Sequence, residues 1–191
     1  MAHLLTTVQT FINGPVMFKT VGRHAFSAIQ TGLFPIYFGI QTAVPVVLAL
    51  TYPGNTLFGL PSGISGLLHE YSRWVSLAPI ATIFVSGLLN LTILLPLVNN
   101  VMKERRGQGI ISASHMFLQY RPNSLTSFTV KRDGKEWFAE GPHSEEMRAL
   151  NKKFGILHGI SSLLNLATFL GAVVYGFNLG ARVQSIADKA I

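Results

Sequence analysis

Long apolar stretches without a charged side chain alternate along this chain with shorter polar or basic segments. Residues 27–69, 74–102 and 154–181 contain no Lys, Arg, Asp or Glu. A helix needs about 20 mainly apolar residues to cross a hydrocarbon core of about 30 Å, and each stretch is long enough to hold one. The pattern therefore predicts helices that span a membrane.

Four spanning helices are predicted, and they cover residues 4–18, 26–51, 75–101 and 154–180. The first is the weakest candidate, because it is short and is interrupted by several polar residues and by Pro15. The second is longer than the hydrocarbon core requires and contains Pro35 and Pro45, which can kink a helix. The expected fold class is an all-α polytopic membrane protein, a four-helix transmembrane bundle forming a single domain over residues 1–191.

The segment between the third and fourth spans, residues 103–153, is expected to be a basic extramembrane loop. Its candidates for docking a protein partner or anionic lipid headgroups are Lys103, Arg105, Arg106, Lys131, Arg132 and Lys135. Strand-forming residues on both sides of Asp133-Gly134 favour a small β-hairpin in this loop. Ser144, followed by two glutamates, predicts the N-cap and first turn of a helix that leads into the fourth span.

Basic residues are distributed unevenly between the two sides of the predicted bundle. With four spans, twelve of the 15 Lys and Arg residues lie on the side of the first and third loops, whereas Arg73, Arg182 and Lys189 lie on the other side. The positive-inside rule then places the basic loops in the cytosol, or in the matrix for a mitochondrial protein, and both termini on the opposite side.

Composition narrows the classes of function. The chain is 49% hydrophobic and 12% charged, with a mean hydropathy of +0.40, which is typical of membrane proteins rather than soluble domains. It has no cysteine and its histidines are scattered, so neither a metal site nor a cofactor is expected. It contains no G-x-S-x-G, Walker A or dinucleotide-binding motif, and an enzyme is not expected. The net charge of +7 is assigned to membrane topology, since no nucleic-acid-binding signature accompanies it.

Polar side chains recur at three- or four-residue spacing on one face of each of the last three predicted spans. The candidate ligand-binding residues on these faces are Gln30, Tyr37, Gln41, Ser86, Asn90, His158, Ser162 and Asn165. One interpretation is that they form hydrogen bonds between helices, which contribute about 0.6 kcal/mol each on average. The other is that they converge on a small polar cavity that binds a ligand.

Small residues form a further stripe in the fourth span. Ala172, Gly176 and Gly180 recur every four residues, which predicts close packing against another helix, either in this chain or in a separate subunit. None of the spans has an acidic or basic residue at its centre, and this argues against a proton-coupled transporter.

Three ordered segments carry a resemblance to a known family: RHAFSAIQTGLFPIYF at 23–38, PLVNNVMKER at 96–105 and FGILHGISSLLNL at 154–166. Together they resemble the transmembrane protein 205-like family. The resemblance implies a small four-span membrane protein with no established reaction, linked to secretory membranes and to tolerance of platinum drugs. The chain departs from the family pattern in its longer 107–142 segment.

Two functions are expected from these observations. The first is a non-enzymatic accessory or assembly protein that binds membrane lipids and membrane-protein partners through its helix faces and its basic loop. The second is a small-molecule or lipid transporter or binding protein that uses the polar faces. The endoplasmic reticulum or another secretory membrane is the favoured location, and the mitochondrial inner membrane is the alternative.

Overall fold

The computed structural model describes residues 14–54, 61–118 and 138–187, with side chains for all of these except 108–118 and 185–187. Within these ranges all regular secondary structure is helical, as the sequence predicts. The predicted β-hairpin around Asp133-Gly134 and the first ten residues of the predicted first span lie outside the described residues.

The described helices follow one another in a simple order. They are α1 (Gly14–Thr20), α2 (Arg23–Leu50), α3 (Gly63–Leu68), α4 (Glu70–Ser72), α5 (Ala78–Leu89), α6 (Leu95–Leu118) and α7 (Glu145–Ala187). Two π-helical turns, Arg73–Leu77 and Asn90–Leu94, join α4 to α5 and α5 to α6. The chain is therefore helical without interruption from Glu70 to Leu118.

Three helical stretches are long and apolar enough to cross a membrane: Arg23–Leu50, Glu70–Gly107 and Glu145–Gln184. They contain the third and fourth spans that the sequence predicts and all of the second except its last residue, Thr51. Of the first predicted span, the structure describes only the part from Gly14, which belongs to the seven-residue helix α1. The helical fold class is confirmed, but a bundle of four spanning helices is not.

The surfaces of these helices are strongly apolar. Ile36, Leu163 and Phe177 are 62%, 67% and 77% exposed, and many other large aliphatic residues are also exposed. Contiguous apolar surface on this scale is unfavourable in water and is stable in hydrocarbon. The chain is therefore an integral membrane protein.

The chain divides into two compact units, residues 1–93 with 161–191 and residues 94–160. The first unit has a buried apolar cluster of Tyr52, Leu67, Ile80 and Tyr175.

In the second unit, Ser144 caps α7 as predicted, because its hydroxyl accepts a hydrogen bond from the Met147 N–H at 3.2 Å. Glu145 and Glu146 occupy the first turn, where carboxylates complement the helix dipole.

A proline in α5 determines how α5 meets α7. Pro79 has no N–H, so it cannot donate to the carbonyl of Val75 four residues earlier. The side-chain amide of Asn178 on α7 donates to this carbonyl at 3.0 Å. A Cβ added at Gly171 would lie 3.2 Å from the Pro79 carbonyl oxygen, tighter than most Cβ contacts, so the glycine favours the close approach of the two backbones. The proline is tolerated because the neighbouring helix supplies the missing donor.

Replacing Asn178 by Leu should lower the free energy of unfolding by about 1–3 kcal/mol, because the part-buried Val75 carbonyl then loses its side-chain donor. Thermal unfolding of the purified protein in detergent measures the change. Phe177→Leu is the matched control, since Phe177 is exposed on the same turn. Equal melting temperatures for the two variants would contradict this role of Asn178.

Candidate functional site

A buried hydrogen bond joins α2 to α7 in the first unit. The Gln41 Nε2 donates to the Thr168 Oγ1 at 2.6 Å, and both side chains are buried. The two residues lie 127 positions apart in the chain. This contact therefore links the facing sides of two apolar helices that are far apart in the sequence.

A second amide contact joins the start of the π-helical turn Asn90–Leu94 to α7. The Asn90 Nδ2 donates to the Asn165 Oδ1 at 3.2 Å, and Asn90 is completely buried. Asn165 and Thr168 are three residues apart on one helix, so they share a face of α7. We call Gln41, Asn90, Asn165 and Thr168 the polar layer.

The helices that carry the polar layer are in backbone contact. A Cβ added at Gly87 would lie 3.1 Å from the Gln41 carbonyl carbon and 3.0 Å from the Thr42 Oγ1. Larger side chains would separate α2 from α5. Gly87 on one side of α5 and Gly171 on α7 therefore keep the three helices close enough for short amide side chains to reach across.

Two oxygens of the polar layer, the Gln41 Oε1 and the Asn90 Oδ1, have no hydrogen-bond partner among the residues that the structure describes. An unsatisfied buried acceptor costs about 1–3 kcal/mol. Both atoms are acceptors, so the chemistry that suits them is a hydrogen-bond donor, such as a water or the O–H or N–H of a ligand. Asn90 also begins a π-helical turn, a feature that is frequent at functional sites.

The predicted polar faces are brought together only in part. Gln41, Ser86 and Asn90 are buried and Asn165 is half-buried. Gln30 and Tyr37 are half-buried, whereas His158 and Ser162 are exposed. The His158 ring stacks in parallel on the Phe154 ring, with the centroids 5.7 Å apart.

Thr168 is the member of the polar layer that the sequence analysis missed. Its spacing of three residues from Asn165 continues the predicted polar face of the fourth span and was an available signal. A threonine in a span commonly hydrogen-bonds to its own helix, so spacing alone does not indicate a contact with another helix.

The predicted small-residue stripe lies beside the closest contact of α7 with α5. Gly171, and not a member of the stripe, faces Pro79 and Ile83. Ala172 and Gly176 are half-buried, and Gly180 is exposed, with no atom of another helix in the described ranges within 4 Å of where its Cβ would lie. A contact of Gly180 with a separate subunit stays a prediction.

The basic residues differ in exposure. Lys103 is exposed and Arg106 is half-buried, but Arg105 is only 5% exposed. The Arg105 guanidinium lies 4.3 Å from the centroid of the Phe154 ring, and its Nη1 contacts the Met102 sulfur at 3.2 Å. Arg105 thus packs inside the second unit, which differs from the expectation of an exposed loop residue. Three further candidates, Lys131, Arg132 and Lys135, lie outside the described residues.

A second polar cluster lies at the end of α2 and was not predicted from the sequence. The Tyr52 hydroxyl is 3.1 Å from both the Ser72 Oγ and the Ser76 Oγ. The Arg182 Nη2 donates to the same Ser72 oxygen at 3.2 Å. We call Tyr52, Ser72, Ser76 and Arg182 the hydroxyl cluster. The four-residue spacing of the serines was its sequence signal.

Among the residues that the structure describes, no group of three His, Asp or Glu side chains is arranged to hold a metal ion. The chemistry of the polar layer is that of neutral amides and a hydroxyl, which donate and accept hydrogen bonds. Such groups can hold helices together or orient a neutral ligand.

The chain matches a family model described as a domain of unknown function, DUF4149, over residues 5–107. This match covers more than half of the sequence, and the chain belongs to that family. The matched region contains Gln41, Gly87 and Asn90, while the α7 residues of the polar layer lie beyond it. No solved structure matches the chain.

The pairing of Gln41 with Thr168 predicts a specific pattern in a double-mutant cycle. Thr168→Val leaves the buried Gln41 amide without its acceptor and should destabilise the fold by about 1–3 kcal/mol. Adding Gln41→Met removes the amide with little change of volume and should restore most of that loss. Unfolding free energies of the four proteins give the coupling energy.

Thr31→Val is the matched control for this cycle, because the exposed Thr31 hydroxyl donates within its own helix, to the Ser27 carbonyl. It should change stability little. Additive losses in the double variant would show that the two side chains are not coupled.

Proposed function

We propose that this member of the DUF4149 family is a non-enzymatic accessory or assembly protein of a cellular membrane. In this proposal it holds membrane-protein partners through its helix faces and its basic loop. The observation that carries the proposal is that polar side chains inside the first unit form hydrogen bonds from one helix to another. Gln41 with Thr168, and Asn90 with Asn165, form hydrogen bonds between helices, and this favours a structural role for the polar faces.

The outward faces of the helices support partner binding. Gly155 and Gly159 are one helical turn apart on α7, and no atom of another described helix lies within 4 Å of where either Cβ would be. Glycines at this spacing allow a second helix to approach closely in a membrane. We assign partner contact to this face and to the stripe of Ala172, Gly176 and Gly180.

The absence of charged residues from the span centres supports a protein without acid–base chemistry. Residues 27–69, 74–102 and 154–181 contain no ionisable carboxylate, lysine or arginine. Catalysis by general acids and bases needs such groups, or histidine, at the reacting centre, and the two histidines in these stretches, His69 and His158, are both exposed. We therefore propose that the chain is not an enzyme.

The membrane and topology are part of the same proposal. The resemblance to the transmembrane protein 205-like family supports a secretory membrane, in particular the endoplasmic reticulum, and a bundle of four spans. The mitochondrial inner membrane is the alternative. The excess of Lys and Arg in residues 103–153 favours a cytosolic position of this loop.

A second function is supported by the polar layer. The Gln41 Oε1 and the Asn90 Oδ1 are buried acceptors that a donor on a lipid or a small molecule could satisfy. In this alternative the chain binds or transports a neutral ligand. Density for a lipid or small molecule between these two side chains in an experimental map would favour it over the accessory role.

Partner binding predicts that the chain co-purifies with other membrane proteins in mild detergent. Gly155→Leu with Gly159→Leu should remove the partner, because leucines would block the close approach of another helix. Gly32→Leu with Gly39→Leu is the matched control, since these α2 glycines are also open. The measurement is quantitative mass spectrometry of the purified complex.

The same purification tests the basic loop with Lys131→Gln, Arg132→Gln and Lys135→Gln combined. Loss of partners in this variant would assign docking to the loop. A monodisperse protein without any stoichiometric partner, in the unaltered chain, would contradict the accessory role.

Engineered N-glycosylation sites test the membrane and the number of spans. In a secretory membrane, a site on a flexible extension after Lys189 should be modified and a site beside Lys131 should not. Four spans predict modification of a site at the N-terminus, whereas three spans predict none. Gel mobility before and after glycosidase treatment reports each site. No modification at any site, with import into mitochondria, would contradict the secretory location.

A further inference from the structure

The guanidinium of Arg182 is held in place by residues far from it in the chain. Its Nη2 donates to the Ser72 Oγ at 3.2 Å, across 110 positions of sequence. The guanidinium carbon lies 5.1 Å from the centroid of the Tyr52 ring and 6.0 Å from that of the Tyr71 ring. Two aromatic faces and a hydroxyl therefore orient the charged group.

The other three side chains of the hydroxyl cluster are buried. Tyr52, Ser72 and Ser76 are almost completely buried, and the Tyr52 hydroxyl is within hydrogen-bond distance of both serine oxygens. Arg182 itself is half-buried. A long side chain that is fixed before a ligand arrives loses less conformational entropy on binding.

The position of the hydroxyl cluster along the spans identifies its depth in the membrane. The uncharged stretch 154–181 ends immediately before Arg182, and the uncharged stretch 74–102 begins immediately after Arg73. Ser72 precedes Arg73 in the sequence and accepts a hydrogen bond from Arg182. Both arginines therefore lie at the same end of the hydrocarbon region. Arginine near the end of a span extends toward the headgroups.

Two aromatic side chains indicate the same depth. Tyr71 is 72% exposed and Trp74 is 79% exposed, and they flank the Ser72-Arg73 pair in sequence. Tyrosine and tryptophan concentrate at the boundary between hydrocarbon and headgroups. The phosphates of membrane phospholipids lie at this boundary, beside an arginine whose planar N–H groups suit phosphate oxygens.

We propose that the hydroxyl cluster, together with Arg73, Tyr71 and Trp74 near Ser72 in the sequence, binds the phosphate of a membrane phospholipid. Arg182 donates charge-assisted hydrogen bonds to the phosphate oxygens. Arg73 adds a second positive charge at the same level. Tyr71 and Trp74 pack against the glycerol and the upper part of the acyl chains. This site lies at the opposite end of α2 from Arg23, outside the polar layer, and does not depend on the accessory function.

The test is a lipid titration of the purified full-length protein, monitored by native mass spectrometry. Three probes are compared: dioleoylphosphatidylcholine, dioleoylglycerol, which has the same chains without phosphate, and inorganic phosphate. The phospholipid should bind at least about tenfold more tightly than dioleoylglycerol, the effect of one hydrogen bond to a charged group. Arg182→Gln should remove most of this difference, and Arg182→Lys should restore part of it.

Arg23→Gln is the matched control, because Arg23 begins α2 and also stacks on an aromatic ring, that of Phe18 at 5.6 Å. It should leave the preference for phospholipid unchanged. Tyr71→Leu is the second test variant, chosen because the exposed Tyr71 ring can be replaced without opening the core. It should weaken phospholipid binding even if Arg182→Gln does not fold.

Several results would overturn the proposal. One is equal binding of dioleoylphosphatidylcholine and dioleoylglycerol by the unaltered chain. Another is full phospholipid preference in folded Arg182→Gln, or unchanged phospholipid affinity in Tyr71→Leu. Binding of inorganic phosphate as tight as that of the phospholipid would assign the site to a free anion instead of a lipid.

Discussion

The need to satisfy the backbone polar groups inside a hydrocarbon layer governs this structure. Water is not available there to solvate an open backbone carbonyl or N–H, so each must find its partner within the protein. Pro79 shows the consequence most directly, because it cannot donate to the Val75 carbonyl and Asn178 of another helix donates instead. The position of α7 against α5 thus follows from a hydrogen bond that one helix cannot make by itself.

Short side chains make these contacts possible. Gly87 places α5 against the backbone of Gln41 and Thr42, and Gly171 places α7 against Pro79. At such distances an asparagine or a glutamine can reach the next helix. The large aliphatic side chains are consequently left on the outside, where lipid replaces the protein core as their surroundings.

The two polar regions of the first unit differ in chemistry. The polar layer consists of neutral groups deep in the spans, and two of its oxygens have no donor within the described part of the chain. The hydroxyl cluster lies where the uncharged stretches end and includes a guanidinium. A neutral donor suits the first and an anion at the membrane boundary suits the second. Membership in the DUF4149 family adds no reaction to this picture, so these local chemistries are the basis of the proposed functions.

Local properties of the sequence determined the membrane character, the approximate limits of three spans and the N-cap at Ser144, because each depends on neighbouring residues. Helical spacing also placed Gln41, Asn90 and Asn165 on polar faces. Only the tertiary structure decided that Gln41 pairs with Thr168, that Gly171 makes the close contact with α5, and that Arg182 reaches Ser72. The physical reason is that periodicity defines a face of a helix, whereas the rotation and partner of that helix result from packing all the helices together.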